Sequence, residues 1–274
     1  MNLLCLLLIL ALERVVVKGR LWCIDFYVSR YVHFADSQFN LKQALPLWQI
    51  IGLAAAPAII VQLLMLLVHN QLLQGIISAA VLMVCIGCPD LRACYKHYLQ
   101  AANRGDTEAC EICAEQLGHD PERAMSLGQT LVWINYRFYV AVMIWFAFFG
   151  AAGAVLYVVS RNLLRYSESN DLPHSNKLHD WVKILDWVPV RITTLGFVFM
   201  GHFSKAFPVW IAYLAEWKPS ALKILSDVGK AAEETPIDHN DLAHEPYMLL
   251  KLAKRNLLFI LVVISVLTLT GFIN

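Results

Sequence analysis

Residues 130–160 read TLVWINYRFYVAVMIWFAFFGAAGAVLYVVS, and the fold follows from how this stretch changes along its length. From Tyr139 to Val159 it carries no charge, which is long enough to cross a bilayer core of about 30 Å as a helix. Just before that run, Trp133, Asn135, Tyr136 and Arg137 load the helix entrance with aromatic and polar groups. We expect one continuous helix whose end projects from the membrane, and place the function where its lipid-facing and water-facing chemistry join.

The rest of the composition agrees. Of 274 residues, 58% are hydrophobic and only 16% charged, and the mean hydropathy is +0.55. Three further apolar runs qualify as spans: 47–68, 72–88 and 257–273. Pro57 sits inside the first, where a kink is expected. His69, Asn70 and Gln71 form the turn of a membrane hairpin, and Lys251, Lys254 and Arg255 stand at the mouth of the last run. The fold class is therefore all-α: a single polytopic membrane bundle over 1–274, with amphipathic or interfacial helices and helical extramembrane regions over 89–138 and 160–256.

Leu3 to Leu12 is apolar and is followed at once by Glu13 and Arg14. Without a basic start or a small-residue cleavage site, residues 1–17 read as a retained membrane-associated helix rather than a cleaved leader. Next, Trp22, Phe26, Tyr27 and Tyr31 alternate with charges, as in a helix at headgroup level; the sharper reading tucks Glu13 or Asp25 against the bundle as a ligand group. Basic residues do not orient the chain, because 1–46 and 89–138 carry five each and the opposite region 160–256 carries twelve. A net charge of +1 implies no nucleic-acid partner.

Beyond the second span, Leu91 to Arg104 has an amphipathic period, Arg104-Gly105-Asp106-Thr107 is a turn, and Asp106 caps the next helix. Asp120 with Pro121 reads as the start of another. Cys85-x-x-Cys88 and Cys110-x-x-Cys113 have zinc-like spacing, but one pair lies at the apolar end of a span and the other in a helix of small residues. We read them as small buried hydrophobes and expect neither a metal nor a cofactor. The acidic, His-containing segment 233–246 reads as a solvated loop. Ser167 to Lys177 reads as a polar linker, and Leu178 to Val188 as a helix that Pro189 stops or kinks. The apolar runs 192–201 and 206–215, too short to span, suggest interfacial helices around His202 and Lys205. Phosphate-cradling and hydrolase motifs are absent.

Leu131 to Tyr139, Leu185-Asp-Trp-Val-Pro-Val-Arg191, Gly201-His202 and Lys205-Ala206 before Pro208 and Trp210 together resemble the AmpE family. So do Glu13-Arg14 with Trp22 and Asp25, and Tyr95-x-x-Tyr-Leu-x-Ala-Ala102 with Arg104 and Asp106. The resemblance is colinear over nearly the whole chain. It implies a multi-pass protein of the bacterial inner membrane, described as a sensory transducer. Such a protein is linked to induction of chromosomal β-lactamase and to antibiotic resistance, and works beside a cytoplasmic amidase of peptidoglycan recycling. More distantly the chain is similar to the CobD/CbiB synthases of cobalamin biosynthesis, which form an amide on a corrinoid carboxylate. Where that pattern carries acids around an Asn, this chain has Ile134 and Phe138 around Asn135; Asp186, Pro189 and Arg191 survive.

Three functions follow. The first is a regulatory protein binding a small anionic ligand, a cell-wall fragment or a nucleotide, in a polar hollow formed by Arg104, Asn135, Arg137, Asp186, Arg191, His202 and Lys205. The second is an active or degenerate ATP-dependent ligase, whose Mg²⁺ would need Glu13, Asp25, Asp106 and Asp186. The third is a structural partner, in which Gly150, Gly153 and the neighbouring alanines give a small-residue face for packing within the monomer or in a homodimer.

Overall fold

The computed structural model describes residues 2–15, 19, 22–39, 46–120, 125–233 and 243–272, and among these every regular element is helical. The proposed start at Pro121-Glu122 and most of the acidic segment lie outside them. The helices are α1 Asn2–Val15, α2 Ile24–Phe39, α3 Leu47–Leu67, α4 Gln71–Cys85, α5 Pro89–Arg104, α6 Thr107–Gln116, α7 Leu127–Asn135, a π-helical turn Tyr136–Val140, α8 Ala141–Ser169, α9 Ser175–Met200, α10 Phe203–Leu214, α11 Ala221–Ala232 and α12 His244–Leu269. Three stretches are long and apolar enough to cross a membrane: Leu47–Leu67, Leu127–Ser169 and His244–Leu269. A fourth is added if α4 and α5 count as one broken span.

The chain forms two compact units. The first comprises 1–87, 141–187 and 264–274. In it α8 packs against α1, α2, α3 and α4, presenting Phe146, Ala147, Ala154, Tyr157 and Val158 at full burial. Helix α1 is too short to cross a bilayer alone and buries Cys5, Leu6, Ile9 and Glu13 at helical spacing. Pro57 does not end α3, which runs unbroken from Leu47 to Leu67. A proline cannot donate to the carbonyl four residues back, and here the Tyr31 hydroxyl donates to that Leu53 oxygen at 2.7 Å. Tyr31 is thus bonded to α3. The expected polar linker is also shorter than its composition suggests, since α8 reaches Ser169 and α9 begins at Ser175.

The long helix opened by residues 130–160 is not continuous in the sense expected. A π-turn occupies Tyr136–Val140, and Gly150 adopts φ 62°, ψ −153° inside α8, a region essentially reserved for glycine. A Cβ on Gly153 would fall 2.5 Å from the Trp145 oxygen and 2.6 Å from Phe149 Cβ. Both glycines therefore serve a break within α8.

The second unit comprises 88–140 and 188–263. Gly105 ends α5 at φ 71°, and the Asp106 side chain accepts from Ala109 N at 3.0 Å to start α6. Tyr98, Ala101, Cys110, Ala114, Leu117, Leu127 and Leu131 form one core, with Cys94, Cys113 and Ile134 packed against it. Cys110 is there an apolar side chain, and burial raises its thiol pKa. Ser126 and Gln129 close a capping box that starts α7. Pro189 again fails to end its helix, α9 continuing to Met200. Helix α11 packs against both α7 and α10. Helix α9 meets α12 closely enough that Asn256 Nδ2 donates to the Thr193 oxygen at 3.0 Å.

Candidate functional site

The π-turn is the most distinctive local geometry in the region singled out from sequence. Five residues close a wider turn than an α-helix allows, a feature frequent at functional sites. It re-aims the side chains at the mouth of the long apolar stretch. Trp133 and Tyr136 stack with ring centroids 5.6 Å apart. The Arg137 guanidinium lies 5.2 Å from the Trp133 ring centroid, a cation–π position. Arg92, from the first turns of α5, donates through Nη2 to the Tyr139 hydroxyl at 2.9 Å. The half-buried carboxamide of Asn135 makes no hydrogen bond to the described residues. The turn thus carries two separate contacts, Arg137 on the Trp133–Tyr136 stack and Arg92 on the Tyr139 hydroxyl, with the Asn135 amide in the preceding turn. Nothing acidic stands in Leu127–Val140.

Arg191 is committed differently. It is 9% exposed; its Nε donates to the Leu214 oxygen at 3.1 Å, and its Nη2 to the Glu216 and Tyr213 oxygens at 2.6 and 3.4 Å. It therefore closes the C-terminal end of α10, whose last carbonyls lack helical donors and carry the negative end of the dipole. Burial lowers its pKa, but a guanidinium remains charged in proteins. The Trp210 indole donates back to the Arg191 oxygen at 3.3 Å. Asp186, 3% exposed, belongs to the first unit and accepts from the Tyr157 hydroxyl at 3.0 Å.

The remaining candidates lie apart from these. Exposed His202 is the N-cap residue of α10, without a side-chain capping bond, and its backbone N–H donates to the Ala232 oxygen at 2.8 Å. Gly201 fits there because a Cβ would come within 2.4 Å of the same oxygen. Exposed Lys205 sits in the first turn of α10. Twelve residues at 1.5 Å each put His202 and the carbonyls held by Arg191 about 18 Å apart. Arg104 is exposed in the last turn of α5. Within the second unit, Asn135 and Arg137 share the π-turn, Arg191 secures one end of α10, and His202 and Lys205 mark its other end. The sequence reading also missed Arg92, whose only advance signal was its place one turn into an amphipathic helix. Among the described residues no group of three or more His, Cys, Asp or Glu side chains is set to hold a metal ion.

A family model described as "Regulatory signalling modulator protein AmpE" matches residues 1–273. The chain is similar to Protein AmpE of Shigella flexneri, at 28% identity over 295 aligned positions covering 99% of each chain. No solved structure matches it. With a family match over essentially its whole length and helices apolar enough for the bilayer, this membrane protein belongs to the AmpE family of regulatory signalling modulators.

Proposed function

We propose that the chain is a multi-pass inner-membrane regulator, acting in β-lactamase induction and cell-wall recycling, that senses a small anionic ligand at the π-turn. What supports this reading is that two guanidiniums, Arg92 bonded to Tyr139 and Arg137 over Trp133, belong to the π-helical stretch that directly follows Asn135 or bond to it. Guanidiniums can grip a carboxylate or phosphate with two parallel hydrogen bonds. An amide free of protein partners adds a directional donor and acceptor. Cation–π support by Trp133 orients Arg137 before any ligand arrives, which lowers the ordering cost of binding.

The ligase reading has less support. Mg²⁺ and ATP need carboxylates, whereas Ile134 packs on the apolar core of α5, α6 and α7, and Asp186 is buried with Tyr157 in the first unit.

The test is thermal unfolding of the purified protein in detergent, with a cell-wall muropeptide and a nucleotide as probes. A productive probe raises the midpoint of the wild type and of Lys205→Ala. The shift is lost in Arg137→Ala and Arg92→Ala while their ligand-free midpoints change little. Equal shifts in all four proteins would refute the site.

A further inference from the structure

A cavity of about 730 Å³ in the first unit lies beside the break in α8, between α1, α3, α4 and α8. That volume falls within the range of about 300–1,000 Å³ usual for small-molecule sites. Among the described residues its lining contains no charged side chain. The break sits at mid-depth: Gly150 is near the centre of the uncharged run 139–159. Irregular backbone at that depth is tolerated where it is buried in protein or lines a cavity.

The lining is graded along the membrane normal. Gln62 and Gln74 lie toward the α3–α4 turn, and Ser78 stands at the middle of α4. Deeper, the wall is made of Ala55, Ala58 and the segment Gly150–Gly153. Helix α3, 21 residues long, spans about 31 Å, close to the hydrocarbon thickness. Gln62 therefore lies one to two turns inside its boundary. Gln74 Nε2 is spent on the Val68 and Met65 oxygens at 2.6 and 3.1 Å. Gln62, by contrast, makes no hydrogen bond to the described residues, and an unpaired amide in hydrocarbon is costly. The rim carries Ile59, Leu66, Phe148 and Phe149, all strongly exposed. Side chains of this kind face lipid, so the mouth opens sideways into the bilayer.

We propose that this cavity binds one membrane phospholipid, with an acyl chain inserted along the α8 break and an ester-level oxygen hydrogen-bonded to Gln62. The polar-to-apolar gradient matches the order of groups in a lipid entering from the α3–α4 side. The described lining offers an acyl chain apolar wall and offers a charged headgroup no opposite charge. The small residues around Gly150 leave the width that a chain needs.

The experiment uses the full-length protein in vesicles of phosphatidylethanolamine and phosphatidylglycerol containing a phospholipid with a photoreactive diazirine in its acyl chain. Cross-linked peptides are identified by mass spectrometry. Labelling of the cavity wall, residues 55–66 and 148–156, should exceed labelling around exposed Val262 on α12 by at least tenfold. Ala152→Phe, which fills the cavity, should bring it down to the Val262 level. Gln62→Leu, which keeps the volume and removes the amide, should lower it several-fold while leaving Val262 labelling unchanged. Wall labelling no stronger than at Val262 in the wild type, or unchanged in both variants, overturns the proposal. Should Ala152→Phe fail to fold, Gln62→Leu decides alone.

Discussion

Replacing Gly196 by alanine should expose how α9 and α12 are held together. A Cβ at Gly196 would stand 1.9 Å from Asn256 Oδ1, 3.0 Å from its Cγ and 3.3 Å from Phe259 Cδ1. Asn256 is fully buried, and its Nδ2 donates to the Thr193 oxygen on the same helix as Gly196. The amide cannot swing away without losing that bond, so the methyl group forces either helix separation or a broken hydrogen bond. Overpacking of this kind costs about 1–3 kcal/mol. Asn256→Ala alone should be milder. It forfeits one hydrogen bond, about 1 kcal/mol, but also removes a buried Oδ1 that has no partner. In the double variant the space left by the amide accepts the new methyl group. Its stability should then resemble that of Asn256→Ala, giving a coupling of about 1–3 kcal/mol between the two sites. Thermal unfolding of all four proteins in one detergent measures this. At roughly 2–4 °C per kcal/mol, Gly196→Ala should melt several degrees low and the second substitution should recover most of the loss. Additive effects within about 0.5 kcal/mol, or an unaltered midpoint for Gly196→Ala, would refute the close packing.

Two further outcomes are expected. Arg191→Ala should lower the ligand-free melting midpoint by an amount equivalent to about 1.5–3 kcal/mol, the usual worth of hydrogen bonds to a charged group, because the Tyr213, Leu214 and Glu216 carbonyls lose their shared donor; a midpoint within a degree of wild type would contradict this. Tyr213 donates to Asp227 Oδ2 at 2.5 Å, and that bond, with smaller help from burial, pushes its pKa up to about 12. Since the folded value lies above the ordinary one of about 10, the bond's stabilisation is fully present below pH 10 and disappears as pH rises through 12. Ultraviolet titration should show a late-ionising phenol that Tyr213→Phe or Asp227→Asn removes.

How much of this was legible beforehand depends on the range of the interaction involved. The apolar runs were readable because a bilayer demands about twenty uncharged residues in sequence, and Asp106 was readable because a cap acts over three residues. Ser126 and Gln129 carried a comparable local signal that the reading passed over. At Pro189 the helix continues where a stop was one expectation, and the effect of Pro57 is settled elsewhere in the chain. At Pro57 the freed carbonyl is answered by Tyr31, 22 residues away, which no local pattern announces. Arg191 was visible as a buried-type cation but not as the cap of a helix ending 23 residues later. The π-turn has no compositional signature, and Gly150 reads equally as a packing surface or as a break.

The same contrast bears on chemistry. The π-turn carries the guanidiniums of Arg92 and Arg137, and residues 127–140 contain no carboxylate. Two guanidiniums repel a divalent cation and attract an anion, so charge alone favours ligand recognition over Mg²⁺-dependent phosphoryl chemistry. Restoring an acid at position 134 would not reverse this. That side chain packs against a core formed by Tyr98, Ala101, Cys110 and Leu131, where an unpaired carboxylate would pay a desolvation cost of several kcal/mol or sit protonated and unable to hold a metal. Recovering synthase-like chemistry would require the α5–α6–α7 core to be rebuilt along with the acid. The hydrophobic packing beside the π-turn thus disfavours a metal-binding acid at position 134.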